Sequence, residues 1–230
     1  MTRATMGRMD STRRLVDLSH PVVEGMTTYP GLPGPELSDH LTRAAAEEQY
    51  GPGVTFHVGR ISMVANTGTY VDSPWHRYPD GADLAGLRLD QVADLDGVVL
   101  DVTGSGRRRV DVDDMRGLDV EGRALLVHTG WDRHWRTPAY GLDAPFVTRR
   151  AVEWLVEQQV ALVGIDSVNI DDTDDRSRPA HSLLLAAGVP VVEHLRGLEQ
   201  LPGEGFRFHA VPPPVEGFGT FAVRAYAVVG

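Results

Sequence analysis

A chain of 230 residues, 42% hydrophobic and 23% charged, is long enough to bury a substantial core and ordinary in composition for a globular protein. Its formal net charge of −10 speaks against nucleic acid or an anionic membrane as a partner, and no apolar run approaches the roughly 18 residues that would span a bilayer. With no cysteine, and with arginine supplying all 22 basic residues, disulfides, thiolate metal ligands, Schiff-base lysines and a phosphate-cradling lysine are excluded.

Residues 1–11 are basic and lack the apolar stretch of a signal peptide. They read as a flexible tail before a single domain over 12–230, with the cytoplasm as the expected location. Residues 15–21 alternate in polarity and end at Pro21, which predicts a short strand. Prolines and glycines crowd 26–35, so that segment is a loop. Within the polar stretch 36–53, residues 44–50 tolerate a helix. Val54, Phe56 and Val58 alternate with polar neighbours, and Ile61 and Met63 continue the pattern, predicting one long strand over 54–65. Short apolar runs at 97–102 and 124–128 predict buried strands, with a helical turn or two at 112–118 between them. A helix is expected over 145–159, with Pro145 in its first turn and Val147, Ala151, Trp154, Leu155 and Gln158 on one face. A strand at 160–165 follows, then a short helix at 181–187 stopped by Gly188, and strands at 189–193 and 221–229.

The chemistry-bearing stretch is 66–76, Asn66-Thr-Gly-Thr-Tyr70-Val-Asp72-Ser-Pro-Trp-His76. On an extended segment Tyr70, Asp72 and Pro74 project to one face, and a turn at the proline swings His76 back toward them. A carboxylate beside an imidazole suits an acid–base pair or a metal site. The competing reading is an Asp-Ser-Pro turn whose carboxylate caps backbone amides. His181 opens an apolar segment, where a cap or surface role is the commoner one. Glu193 ends the run Pro-Val-Val-Glu, where burial without a partner is costly, yet alternation alone lets it face solvent equally well. Asn66, Thr69, Trp75 and Trp131 are assigned to substrate contact, with Trp75 as a wall beside His76. The acidic run 171–175 lacks the glycine and terminal glutamate of a calcium loop and reads as solvated.

Residues 66–76 resemble His-x-Gly-Thr-His-x-Asp-x-Pro-x-His, the signature of the family containing bacterial kynurenine formamidases, isatin hydrolases and polyketide cyclases. Gly68, Thr69, Asp72, Pro74 and His76 stand in place, whereas Asn66 and Tyr70 replace the two histidines. Asp17-Leu-Ser-His20-Pro21, Gly25-Met26, Tyr29-Pro-Gly31, His128-Thr-Gly-Trp131, Gly164-Ile-Asp166-Ser167, His181-Ser-Leu-Leu-Leu and Val192-Glu193-His-Leu195 are similar to further family elements, in the same order. The resemblance implies an α/β fold of the swivelling β/β/α type, with a central mixed, barrel-like sheet, few helices, and assembly as a homodimer or homotetramer. It also implies that Asn66 and Tyr70 fall at metal-ligand positions, that Asp72, His181 and Glu193 match the remaining ligands, and that His76 matches a proton-shuttling residue. An amide oxygen is a poor ligand for zinc, and a phenol must ionise to bind it well.

The leading expectation is therefore an enzyme that closes, opens or dehydrates a small carbonyl substrate by acid–base chemistry, without a metal. His76 would act as base or acid, Tyr70 would donate to the carbonyl oxygen, and Asp72 or Glu193 would orient the imidazoles. One alternative is an amide or lactam hydrolase with a single Zn or Mn on Asp72, His181 and Glu193. Another is a non-catalytic, ligand-binding member of the family. The expected partners are a small molecule and copies of the same chain.

Overall fold

The structure is a computed structural model that describes residues 13–230, so the expected tail over 1–11 lies outside the described residues. Its strands, in chain order, are β1 (Arg14–Asp17), β2 (Glu36–Leu41), β3 (Val58–Ser62), β4 (Tyr70–Asp72), β5 (Leu95–Asp101), β6 (Arg109–Val110) and β7 (Ala124–His128). They continue as β8 (Phe146–Val147), β9 (Leu162–Ile165), β10 (Val191–Glu193), β11 (Glu204–His209), β12 (Thr220–Ala222) and β13 (Tyr226–Val229). The α-helices are α1 (Arg43–Tyr50), α2 (Arg149–Glu157) and α3 (Pro179–Ala186).

Nine strands form one curled half-barrel sheet in the order β1-β13-β11-β5-β7-β9-β10-β4-β12. Its centre, from β5 through β7 and β9 to β10, is parallel, and the flanking pairs are antiparallel. The fold is thus the mixed α/β sheet with few helices that the sequence led one to expect. Central strands are apolar throughout because both of their faces are covered. In β7, Leu125 and Val127 pack with Val152 and Leu155 of α2 and Leu184 of α3, while Ala124 and Leu126 pack with Val16, Phe206 and Phe208 on the opposite side. Asp166, just after β9, ties the ends of the central strands together. It accepts hydrogen bonds from the Thr129 and Gly130 amides at 2.8 and 2.7 Å, which gives the Thr-Gly-Trp element a structural role. Burial pushes the Asp166 carboxyl up to about 6 against those donors.

Several expected elements are corrected. The helix begins at Arg149 rather than at 145, because the Phe146 and Thr148 amides bond to the Arg108 and Val110 carbonyls. The Thr148 hydroxyl then caps the first turn, accepting from the Ala151 amide. The long strand over 54–65 shrinks to β3, which pairs with β2, a strand concealed by its polar composition. This ribbon stands apart from the main sheet and its residues are largely exposed, so the apolar alternation there marks no buried face. The strand expected over 221–229 splits into β12 and β13, which lie toward opposite edges of the sheet. The chain crosses between them at 223–225, where Ser19 Oγ donates to the Val223 and Ala225 carbonyls. β11 was not foreseen. Among the described residues, no helix is long and apolar enough to cross a membrane.

Candidate functional site

Strand register assembles the site. β4 lies between β10 and β12, with Tyr70 opposite Glu193 and Ala222, and Asp72 opposite Val191 and Thr220. Tyr70 and Asp72 share one face of β4 while Val71, pointing the other way, is core. Directly opposed side chains on one face touch. The Tyr70 hydroxyl therefore donates to Glu193 Oε2 at 2.6 Å, and the Thr220 hydroxyl donates to Asp72 Oδ1. After β4 the chain turns through a single 3-10 turn, Pro74–His76, that brings His76 back to the same place. Gly219 permits the approach: a methyl group there would collide with the His76 backbone nitrogen and Cα.

Helix α3 supplies His181 from its first turn. Asp171 accepts from the Ala180 amide at 2.6 Å, from the His181 amide at 3.1 Å, and from His181 Nδ1 at 2.7 Å. With Nδ1 donating to Asp171, Nε2 faces the site, 3.6 Å from Asp72 Oδ2 and 3.6 Å from Glu193 Oε1, and is the nitrogen that a bound cation would take in place of a proton. His76 is held in the same manner. Its Nδ1 lies 2.8 Å from Thr220 Oγ1, whose own proton goes to Asp72, so Nδ1 donates and Nε2 remains free. Both imidazoles thus show the arrangement of metal-ligating histidines, in which an outer partner fixes the far nitrogen.

Donor atoms of Asp72, His76 and His181 lie within 4.8 Å of one another, the one such cluster of histidines and carboxylates among the described residues. Two ligands bonded to a tetrahedral ion at about 2.0–2.2 Å sit about 3.3–3.6 Å apart. The 3.6 Å from Asp72 Oδ2 to His181 Nε2 is near that spacing. Asp72 Oδ2 is fully buried and has no hydrogen-bond partner, an acceptor that a cation would satisfy. The donor set fits a Zn- or Mn-class ion. Glu193, expected as the third ligand, stands outside this cluster because Tyr70 and the Ile170 amide hold its two oxygens back.

The charges make the site cation-seeking. Burial pushes His181 down, but the surrounding Glu193, Asp171 and Asp72 carboxylates outweigh it and raise the imidazole well above its usual range. Burial pushes Glu193 up to about 7, with the Asp72 charge adding to the effect and His181, Tyr70 and the Ile170 amide opposing it. For Asp72 burial acts upward, yet the two histidines and Thr220 bring the net shift below the usual carboxylate range. Tyr70 is pushed well above a normal phenol by burial and by the Glu193 and Asp72 charges. It stays protonated and is a hydrogen-bond donor rather than a ligand.

A cleft of about 470 Å³ opens onto this floor. Asn66, Tyr70, His76, His181 and Glu193 line its inner part, and Tyr29, Pro30 and Leu32 form an apolar lip. Thr69, Trp75 and Trp131, assigned to substrate contact from sequence, do not line it. Thr69 is buried and clasps His194 through a 2.6 Å bond to its carbonyl, and Trp131 donates to the Tyr140 carbonyl. Sequence reasoning missed Thr220, Asp171, Tyr140 and His194. Asp171, read as part of a solvated loop, is only 2% exposed. Tyr140, His194 and Tyr70 form a buried chain of hydrogen bonds that ends on Glu193.

A family model described as "Putative cyclase" matches residues 16–172. The chain belongs to the cyclase family. A kynurenine formamidase of Erythrobacter litoralis (strain HTCC2594) is 29% identical to this cyclase-family chain over 212 residues, covering 90% of each. Isatin hydrolase A of Labrenzia aggregata has a TM-score of 0.81 at 22% identity over 94% of each chain, a likeness of fold. A solved structure described as a potential metal-dependent hydrolase with cyclase activity is 26% identical, with a TM-score of 0.76, over 95% of this cyclase-family chain and 99% of its own. The names of the first two denote hydrolases of carbonyl C–N bonds.

Proposed function

We propose that this chain is a hydrolase of small amides, formamides or lactams, in which Asp72, His76 and His181 hold a single Zn or Mn ion. The observation that carries this reading is the shared presentation of the two imidazoles, each tied through Nδ1, beside a buried and unpartnered Asp72 oxygen. Such an ion would polarise the scissile carbonyl and acidify water at neutral pH. Glu193 stands next to the cluster and faces the cleft, where it can take a proton from the attacking water and return it to the departing nitrogen. Tyr70 and the Ile170 amide hold that carboxylate in place. The floor is nearly dry, since Asp72, Glu193 and Tyr70 are each no more than 2% exposed, so charge–dipole interactions act there at low screening.

The relatives' names support hydrolysis over the metal-free ring closure favoured from sequence. So does Tyr70, whose only proton is engaged by Glu193 and not offered to a substrate carbonyl. The test is metal content and turnover of formanilide and isatin by protein purified without chelator. Asp72→Asn and His181→Ala should lose the metal, whereas Glu193→Gln should keep it and lose turnover by about 10²-fold or more. Turnover that persists in metal-free protein would refute the reading.

A further inference from the structure

The cleft is electrically polarised. Its lining carries Glu193, with Asp72 buried beside His181 and Asp171 behind it. Its lining also includes two arginines, Arg77 and Arg178, in a protein of net charge −10. Their contacts are with neutral groups. Arg77 Nε donates to Ser182 Oγ at 3.4 Å and its guanidinium lies over the Tyr78 ring. Arg178 NH1 reaches Asn169 Oδ1 at 3.4 Å and the Asp172 carbonyl at 3.3 Å. Neither forms an ion pair with a carboxylate among the described residues, so both charges and most of their donors are unspent.

Arg178 is also backbone-strained. It sits at φ 47°, ψ 61°, in the left-handed region, immediately before Pro179. A residue with a side chain persists there only when its surroundings hold it, and such outliers concentrate at binding sites. The Arg178 carbonyl accepts from the Ser182 amide at 2.9 Å, and Ser182 is also the anchor of Arg77. The first turn of α3 therefore positions His181 at the floor and both guanidiniums on the cleft.

We infer that the substrate is an anionic amide, one whose apolar body rests against the Tyr29, Pro30 and Leu32 lip and whose carboxylate is held by Arg77 and Arg178. The inference rests on the hydrolase reading above. The two cleft arginines attract the negative end of such a molecule, leaving the scissile carbonyl to point inward. A carboxylate is the matching group, because planar guanidinium forks bind it through paired hydrogen bonds.

The experiment compares kcat/KM for 2-, 3- and 4-formamidobenzoate with that for formanilide, which lacks the carboxylate. The wild type should favour at least one of the charged isomers by roughly tenfold or more. In the Arg77→Gln/Arg178→Gln double variant that ratio should fall toward one, and Arg178→Lys, which keeps the charge without the fork, should fall between. Benzoate binding, measured calorimetrically without turnover, should weaken about tenfold in the double variant. Formanilide cleaved as well as every charged isomer would overturn the inference and leave the hydrolase reading standing. Arginine-dependent benzoate binding with no cleavage of any of these amides would do the reverse. Inorganic phosphate displacing benzoate at equal concentration would show an unselective anion site and overturn the carboxylate assignment.

Discussion

Replacing Tyr70 by phenylalanine isolates one hydrogen bond in the site. The ring stays, and the hydroxyl that donates to Glu193 Oε2 at 2.6 Å is lost. Glu193 is 1% exposed, and its carboxyl already sits near 7 instead of 4.5. A hydrogen bond to a buried charged acceptor is worth about 1.5–3 kcal/mol. Losing about 2 kcal/mol of it would raise the Glu193 carboxyl by roughly a further 1.5 units. The sign follows from proton counting. A folded-state carboxyl held above its unfolded value makes stability fall as pH rises from the unfolded value to the folded one. In the wild type that loss is complete near 7; in the variant it continues to higher pH. The stability gap should thus be small at about pH 6 and grow by about 2 kcal/mol by about pH 9. Tyr70 also lies 3.3 Å from His194 Nε2, and losing that contact adds a pH-independent offset of about 1 kcal/mol. Urea unfolding of both proteins in chelator, at the two pH values, separates the terms. A gap that does not change with pH would show that the hydroxyl is not bonded to the ionised carboxylate.

Thr220→Val keeps the shape of β12 but removes the hydroxyl that joins Asp72 to His76; metal affinity and turnover should fall about 10–100-fold, with Thr220→Ser close to wild type. Gly219→Ala should cost about 1–3 kcal/mol in urea unfolding, because its methyl group displaces the His76 backbone, and turnover should suffer more than Thr220→Val inflicts. His20 is stacked on Trp135 with ring centroids 4.0 Å apart, its Nε2 is buried without a partner, and burial together with the Arg196 charge holds it down to about 3. An unfolded histidine takes up its proton near 6.5, so His20 contributes stability that is full above that pH and falls by about 1.4 kcal/mol per unit on acidification. His20→Phe should therefore gain about 2 kcal/mol on the wild type between about pH 7 and about pH 5, read from unfolding midpoints; an unchanged difference would contradict a buried neutral imidazole.

What sequence could disclose followed from local periodicity. Tyr70 and Asp72 sharing a face, and His76 returning after Pro74, needed only the alternation of an extended segment and the bend of a proline. Glu193 could not be placed this way, because its burial is decided by β4 lying on one side of β10 and β9 on the other. Thr220 carries no local signal; only antiparallel register puts it opposite Asp72, 148 residues earlier. Asp171 was misread because a run of four aspartates among five residues looks solvated, whereas its first member turns inward to satisfy amides at the start of α3. β2 was hidden for a related reason: a ribbon with little buried surface has no apolar face to announce it.

Asp171 makes local order and reactivity one property. The carboxylate that satisfies the opening amides of α3 also dictates which nitrogen of His181 faces the site. The imidazole is therefore prepared by the same event that docks the helix, before any substrate arrives. Fraying of that first turn would disarm the histidine and scatter Arg178 with it, so hydrogen exchange at the Ala180 and His181 amides should report how long the chain remains competent.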